Sequence, residues 1–542
     1  MLDLKRQKKV VNIFLGLSYL VCFAKFVPLC NQIGEEGVGL FAGAFLIYFI
    51  YMVLMQEVFS EQVARMINSR MKRDQYRNAG SVFDFTLLLA SAIGLVVCAL
   101  VFLLSGFLAE KVLIMEHAKD TLRYMAPAFT FCTVMAVFSA YLKGVGDHIT
   151  DALLRLGTEL LMTLACILIS GSTYLRGVHV GNLLHQDMFS SVYGARGCGI
   201  AVSLATFLML IVYFLFFLQT KVTFKRRTIR DVSAQDEEYM GYVRTMFVAP
   251  VASYIAVFFV SFSLLLQERI LITGIHTWNA KNPLQALNAY EVFGRYYGKG
   301  AVFVLFPIAV IYAIYHGMAV YIRRSLNQDD RRSVRESLQI RLRKYMAVFI
   351  PVTLFIAVFA KPLMGFASNG EIADVSGAVA VGALSIFFFG LAYIFSQICI
   401  AMDKKLYILA VHSIAFVVHL IVLLIGVKSC KNPATAIGVA MLLASVIMAA
   451  AYGVLMTMQL DYKHNMLHLV KPLISGAVSA GIGLLIVLLL GGKSADLLIL
   501  LIGAVIFIVI YMIVLAALHG ITKKELSRLP GGEFLIHLFW YR

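Results

Sequence analysis

Charge is what this sequence has least of. Asp, Glu, Lys and Arg make up 14% of its 542 residues, 61% are hydrophobic, and the mean hydropathy is +0.85. A soluble chain of this length needs far more polar surface, so a water-exposed globule is excluded. Long polar loops are missing too: the longest segments expected outside the membrane, 172–196 and 274–297, leave no room for a separate soluble domain. The eight cysteines are scattered, with no C-x-x-C and no Cys/His cluster, so neither a disulfide framework nor a metal site is expected. There is no nucleophile-and-base arrangement. The Gly-x-Gly pairs at Gly37 and Gly298 lack the strand–helix context of a nucleotide fingerprint. No enzyme and no cofactor is expected.

What the sequence does have is long apolar runs. A span needs about 20 apolar residues to cross roughly 30 Å of hydrocarbon. Fourteen runs qualify, centred near residues 20, 48, 95, 131, 164, 208, 257, 311, 356, 389, 416, 446, 479 and 508. They predict an all-α polytopic membrane protein with about 14 transmembrane helices. The first run continues to Cys30 without a cleavage site and reads as a retained span.

The net charge of +17 follows the same plan. With the N-terminus inside, 31 of the 47 Lys and Arg fall in inner segments, 12 in outer ones and four in or at the ends of spans. This asymmetry is the positive-inside rule, and it predicts both termini in the cytoplasm. Nucleic acid is not an expected partner; membrane lipids are. The basic inner segment 322–344 reads as an interfacial amphipathic helix or helical extension, with Glu336 four residues from Arg332.

Three likenesses recur in order. GVGLFAGAFLIYFIY from Gly37 resembles GKGAVFVLFPIAVIY from Gly298; AVFSAYLKGVGD from Ala136 resembles YIFSQICIAMDK from Tyr393. CGIAVSLATFLMLIVYF from Cys198 resembles IGVAMLLASVIMAAAYG from Ile437. Spans one to six thus repeat as spans seven to twelve, a parallel repeat of two six-helix lobes plus two extra C-terminal helices. The expected organisation is an N-lobe over 1–220, a cytoplasmic linker over 221–240, a C-lobe over 241–460, and the last two spans with a cytoplasmic tail over 461–542. Two equal lobes around a central site suit a transporter working by alternating access.

Charge inside a membrane costs roughly 2.5–3.5 kcal/mol per group on insertion scales and defaults to function. Lys25, in FAKFVPLC, is the clearest case, with Pro28 placed to kink its helix. Glu268 and Arg269 interrupt span seven. Lys25 and Arg269 are candidate substrate-binding cations, one per lobe, suited to an anionic headgroup such as a pyrophosphate. Glu57, Glu61 and Arg65 form a stripe at four-residue spacing near the end of span two, and Glu159 lies one or two turns into span five, facing the cavity or paired with Arg155. Glu57, Glu61, Glu159 and Glu268 are the candidate ion-coupling groups, with Na+ or H+ as the coupling cation.

NQIGEEGVGLF followed by FSEQVARMI, YLKGVGDHITDALLR after span four, GARGCGIAVSLATF opening span six and the tail HGITKKELSRLPGG stand in family order. On these motifs the chain resembles the multidrug/oligosaccharidyl-lipid/polysaccharide exporter superfamily, in particular its polysaccharide-transporter and stage V sporulation protein B-like branch, relatives of the lipid II flippase. The resemblance runs nearly end to end. It implies flipping of an undecaprenyl-pyrophosphate-linked oligosaccharide, a cell-envelope polysaccharide precursor, across the bacterial plasma membrane, with envelope-synthesis enzymes as partners. It also implies a lipid-tail groove shaped by spans thirteen and fourteen. The chain departs from the branch at Phe26, where an arginine is usual and Lys25 stands one place earlier. It departs again at Val58-Phe59-Ser60, in place of Gly-x-Pro, and at Glu159, one residue out of register. The alternatives are a multidrug or cation antiporter of the same fold, a membrane-embedded glycosyltransferase or polymerase, and a non-transporting scaffold.

Overall fold

The computed structural model describes residues 4–228, 237–328, 330–368, 375–430, 432–463, 465, 467–490 and 495–520, with isolated positions beyond. Part of the expected linker at 221–240 and most of the tail motif at 519–532 lie outside the described residues. Among the described residues the chain is helical and contains no strand. Lipid imposes this, because only a helix or a closed barrel satisfies every backbone donor and acceptor without water.

The first helices are α1 (Leu4–Ala24), α2 (Phe26–Val53), α3 (Ser60–Met71), α4 (Tyr76–Leu103) and the single turn α5 (Ser105–Phe107). They are followed by α6 (Lys119–Val145), α7 (His148–Leu184), α8 (Met188–Thr228), the short α9 (Tyr239–Val243), α10 (Val251–Lys281) and α11 (Ala289–Arg295). The later ones are α12 (Ala301–Tyr315), α13 (Met318–Asn327), α14 (Arg331–Val358), α15 (Ala360–Ala367), α16 (Ser376–Ala401) and α17 (Lys405–Ser429). The chain continues through α18 (Thr435–Leu460), α19 (Leu467–Leu490) and α20 (Asp496–Ala517).

Among the described residues twelve helices are long and apolar enough to cross a membrane, or 13 if the bent pair Arg331–Val358 and Ala360–Ala367 is one span. The first of them, Gln7–Met71, is 65 residues long. At 1.5 Å per residue a straight helix of that length would reach about 98 Å, some three hydrocarbon cores. It is not straight: Gly34 has φ 76° and ψ 168°, outside the helical region. That backbone is open to glycine and strained for other residues, so the chain reverses within NQIGEEG. Counted as two crossings, this segment brings the total to the expected fourteen. The segments expected as outer loops are shorter than the sequence suggests, because α7 continues to Leu184 and α10 to Lys281.

The chain divides into two compact units, Met1–Gly298 and Lys299–Arg542. In the first, α4 packs on α6, α6 on α8, and α7 on α8, while α1 lies along α7. Aromatic rings fill this interior: Phe83 stacks on Phe217 at 4.7 Å, and Tyr141 meets Phe217 edge-on at 4.9 Å. The opposite face of α4 leaves Leu88, Leu95 and Leu103 exposed, as a helix bordering lipid requires. In the second unit α14 packs on α16, α16 on α18, and α17 on α18, so the neighbour order of spans three to six recurs in spans nine to twelve. The last pair adds to this unit: α19 lies on α14, and the Phe359 ring fills the space beside Gly483 and Gly503. Tyr511 in α20 donates to the Ala347 carbonyl at 2.7 Å.

Two further irregularities set up the site. Pro28 has no N–H for the carbonyl of Ala24, and the helix breaks there, ending α1 at Ala24 and leaving Lys25 as a one-residue turn. Between α2 and α3 the backbone widens into a π-turn, Leu54–Phe59, which carries Gln56 and Glu57. Such turns concentrate at functional positions.

Candidate functional site

The first unit holds a cleft of about 50 Å³. Its polar lining includes Tyr19, Gln56, Glu57, Arg155, Thr158 and Glu159, and Cys22, Tyr48, Met52, Cys132 and Tyr213 are among the other residues that line it. These side chains come from α1, α2, the π-turn, α6, α7 and α8. A space of this size has room for a few water molecules.

Two ion-pair networks border it. Arg155 on α7 is the hub of the first. Its Nη1 lies 2.8 Å from Glu57 Oε1, its Nη2 donates to the Gln56 carbonyl at 2.8 Å, and its Nε lies 3.5 Å from Asp151 Oδ2. The Tyr19 hydroxyl donates to the same Glu57 oxygen at 2.7 Å. The guanidinium fork reaches two carboxylates and a carbonyl at once, a task a lysine ammonium would not match.

The second network is Lys25 with Glu159. Lys25 Nζ lies 3.4 Å from Glu159 Oε2 and 3.7 Å from the centre of the Phe45 ring, so the ammonium is held by a carboxylate and an aromatic face. The residues are 1% and 4% exposed, so water screens neither charge. Together the networks hold three carboxylates (Glu57, Asp151, Glu159) and two cations (Lys25, Arg155), with a third cation, Lys143, in electrostatic reach of Asp151 and Glu57. Such a cluster retains its charges only because they are paired; removing one partner strands the other.

The structure therefore brings together three of the residues singled out in the sequence, Lys25, Glu57 and Glu159. Glu159 pairs with Lys25 rather than with Arg155. Glu61 lies apart, in an exposed pair with Arg65 at 3.4 Å. Glu268 is fully buried in α10, against Gly43 and Met115, and neither carboxylate oxygen has a hydrogen-bond partner. Arg269, its neighbour, is exposed and donates to the carbonyls of Lys111 and Val112.

Sequence reasoning passed over Arg155, Asp151 and Tyr19 as site residues. Asp151, Arg155 and Glu159 stand at four-residue spacing, a stripe along one face of α7 that signals a buried polar seam. No group of three or more His, Cys, Asp or Glu placed to hold a metal ion occurs among the described residues.

No family model matches the sequence, and no curated protein matches it. Solved structures do. An inward-facing multidrug resistance MATE family transporter of the MOP superfamily superposes with TM-score 0.66 at 13% identity, covering 84% of this chain and 98% of its own. An outward-facing structure of such a transporter gives 0.58 at 12%, covering 85% and 96%. The lipid II flippase MurJ, in an inward closed conformation, gives 0.55 at 13%, covering 93% of this chain and 97% of its own. The chain has the all-helical fold of these transporters.

Proposed function

We propose that this multi-pass membrane protein is an alternating-access flippase for an anionic lipid-linked substrate, of the undecaprenyl-pyrophosphate-oligosaccharide class, in the bacterial plasma membrane. One observation carries the choice within the fold. The MATE transporters cover 84–85% of the chain, whereas the flippase covers 93%. The added share is of the size of α19 and α20, a helix pair that a lipid-tail groove would use and a water-soluble cargo would not need. Both termini lie in the cytoplasm in this reading, following the charge asymmetry.

Lys25 serves the headgroup only after it leaves Glu159. A proton or Na+ on the Glu159 carboxylate would free the ammonium to meet a phosphate, tying ion binding to substrate binding. Glu57, held by Arg155 and Tyr19, keeps the neighbouring network closed during that exchange. Glu268 is a second coupling candidate, and Arg269 is structural.

The test is flipping in proteoliposomes of a fluorescent undecaprenyl-pyrophosphate sugar, scored by its accessibility to an external quencher. Wild type should flip it, and Lys25→Met should slow it at least about tenfold, the rate effect of 1.4 kcal/mol. Absence of flipping, with export of cationic drugs instead, would overturn the proposal.

A further inference from the structure

The last two long helices bring like charges together in the second unit. There α19 lies on both α14 and α20. Near the end of these helices that the charge asymmetry assigns to the cytoplasm, Arg343 of α14 meets His468 and Lys471 of α19. Both cations stand within electrostatic reach of the His468 ring, and all three residues are partly buried. Lys471 Nζ also donates to the His519 carbonyl, just past the end of α20, at 3.2 Å. Two carboxylates at the same end are engaged elsewhere, in water: Glu336 pairs with Arg332 at 3.0 Å and Asp461 with Arg335 at 3.8 Å.

Basic side chains at the end of a span ordinarily snorkel into water, where salt screens them from one another. Here two packed helices turn theirs into one place, and partial burial weakens the screening. Basic pockets of this kind between transmembrane helices take phospholipid headgroups. The surface beside the cluster suits the rest of such a molecule. Leu467, Ile474, Val478 and Leu485 are exposed, on the face of α19 that carries Lys471. From Lys471 to Leu485 the helix runs about 21 Å at 1.5 Å per residue, longer than the roughly 15 Å of hydrocarbon in one leaflet.

We propose that Arg343, His468 and Lys471 form a site for one anionic phospholipid of the inner leaflet. Its phosphate sits among the three basic groups, and an acyl chain runs along the stripe from Leu467 to Leu485. A soluble phosphate would use the cluster and leave the stripe without a role. The inference rests on the membrane orientation proposed above and not on the choice of transported substrate.

The test is native mass spectrometry of the full-length protein, delipidated in non-ionic detergent and titrated with phosphatidylglycerol or phosphatidylcholine, with folding checked by size-exclusion profile. One phosphatidylglycerol should bind at least about tenfold more tightly than phosphatidylcholine. Arg343→Gln and Lys471→Gln should each weaken it about fivefold, the factor for about 1 kcal/mol per basic residue near the surface. Arg332→Gln removes an exposed charge from the same end of α14 and should leave the affinity unchanged. Equal affinity for the two lipids would overturn the proposal. An equal loss with Arg332→Gln would also overturn it, by reducing the cluster to a diffuse surface field. Two competitors separate the sources of phosphate. Displacement of the lipid by inorganic phosphate at equal concentration would assign a soluble ligand and overturn the proposal. Tighter binding of undecaprenyl pyrophosphate than of phosphatidylglycerol would assign the site to transported lipid, and would overturn it too. No transport is measured, so loss of this site would leave the flippase reading standing, and absence of flipping would leave the site standing.

Discussion

Removing Lys25 should expose how much of the first unit depends on one buried pair. At 3.4 Å from Glu159, with both residues almost wholly buried, the attraction is about 5 kcal/mol at an effective dielectric constant of 20. The ammonium also lies 3.7 Å above the Phe45 ring, a contact of about 2 kcal/mol when desolvated. Lys25→Met loses both and strands the Glu159 carboxylate, so it should cost about 3–5 kcal/mol, the usual range for breaking a buried pair. Glu159→Gln keeps the ring contact yet leaves a buried ammonium without its carboxylate, and should cost a similar amount. The double variant removes both charges and should recover about 2–3 kcal/mol relative to the sum of the single effects. Unfolding in increasing mole fraction of SDS, followed by circular dichroism, closes the cycle. A coupling below about 0.5 kcal/mol, the additive limit, would refute the pairing.

Two further outcomes follow from other buried or half-buried carboxylates. Partial burial pushes the Glu237 carboxyl up, but hydrogen bonds from Arg70, Asn78 and Tyr242 and the nearby Arg70 charge outweigh it, holding the group below its ordinary value of 4.5. A depressed folded-state pKa stabilises above the unfolded value and stops doing so as pH falls through the folded one. The difference in melting temperature between wild type and Glu237→Gln should therefore be constant from pH 7 to 5 and shrink below 4.5; a difference that grows on acidification would contradict the Arg70 pairing. Glu268 has no partner to lose, so Glu268→Met should leave thermal stability in detergent unchanged or raised, because a buried polar group is exchanged for an apolar one of similar volume. A loss above about 1 kcal/mol, the net worth of a typical hydrogen bond, would mean that the carboxylate is bonded after all.

Most of the fold could be read from the residues. Apolar length places the spans, and every expected centre falls within a helix of the structure. Lys25 stood out because nothing around it is polar, and it does lie in the buried network. Pairing was harder to foresee. Arg155 and Asp151 look like ordinary cytoplasmic-end residues of span five, and only the arrival of Glu57 from the π-turn and Tyr19 from α1 makes them a seam. Which face a transmembrane helix turns inward depends on its neighbours, and with apolar residues all round there is little moment to reveal it. Arg269 likewise meets partners far away in sequence, the Lys111 and Val112 carbonyls.

The widened turn at Leu54–Phe59 has a consequence for the Glu57, Glu61 and Arg65 stripe. On an uninterrupted α-helix these three residues would point the same way, and the stripe would be wholly inside or wholly outside. One extra residue in a turn advances everything after it by about 100°. The turn thus works as a phase shift, leaving Glu57 on Arg155 while Glu61 and Arg65 face outward as an exposed pair. Deleting a single residue from 54–59 would cancel the shift and bring all three back into phase. The chain would then present either two carboxylates to one arginine, or none.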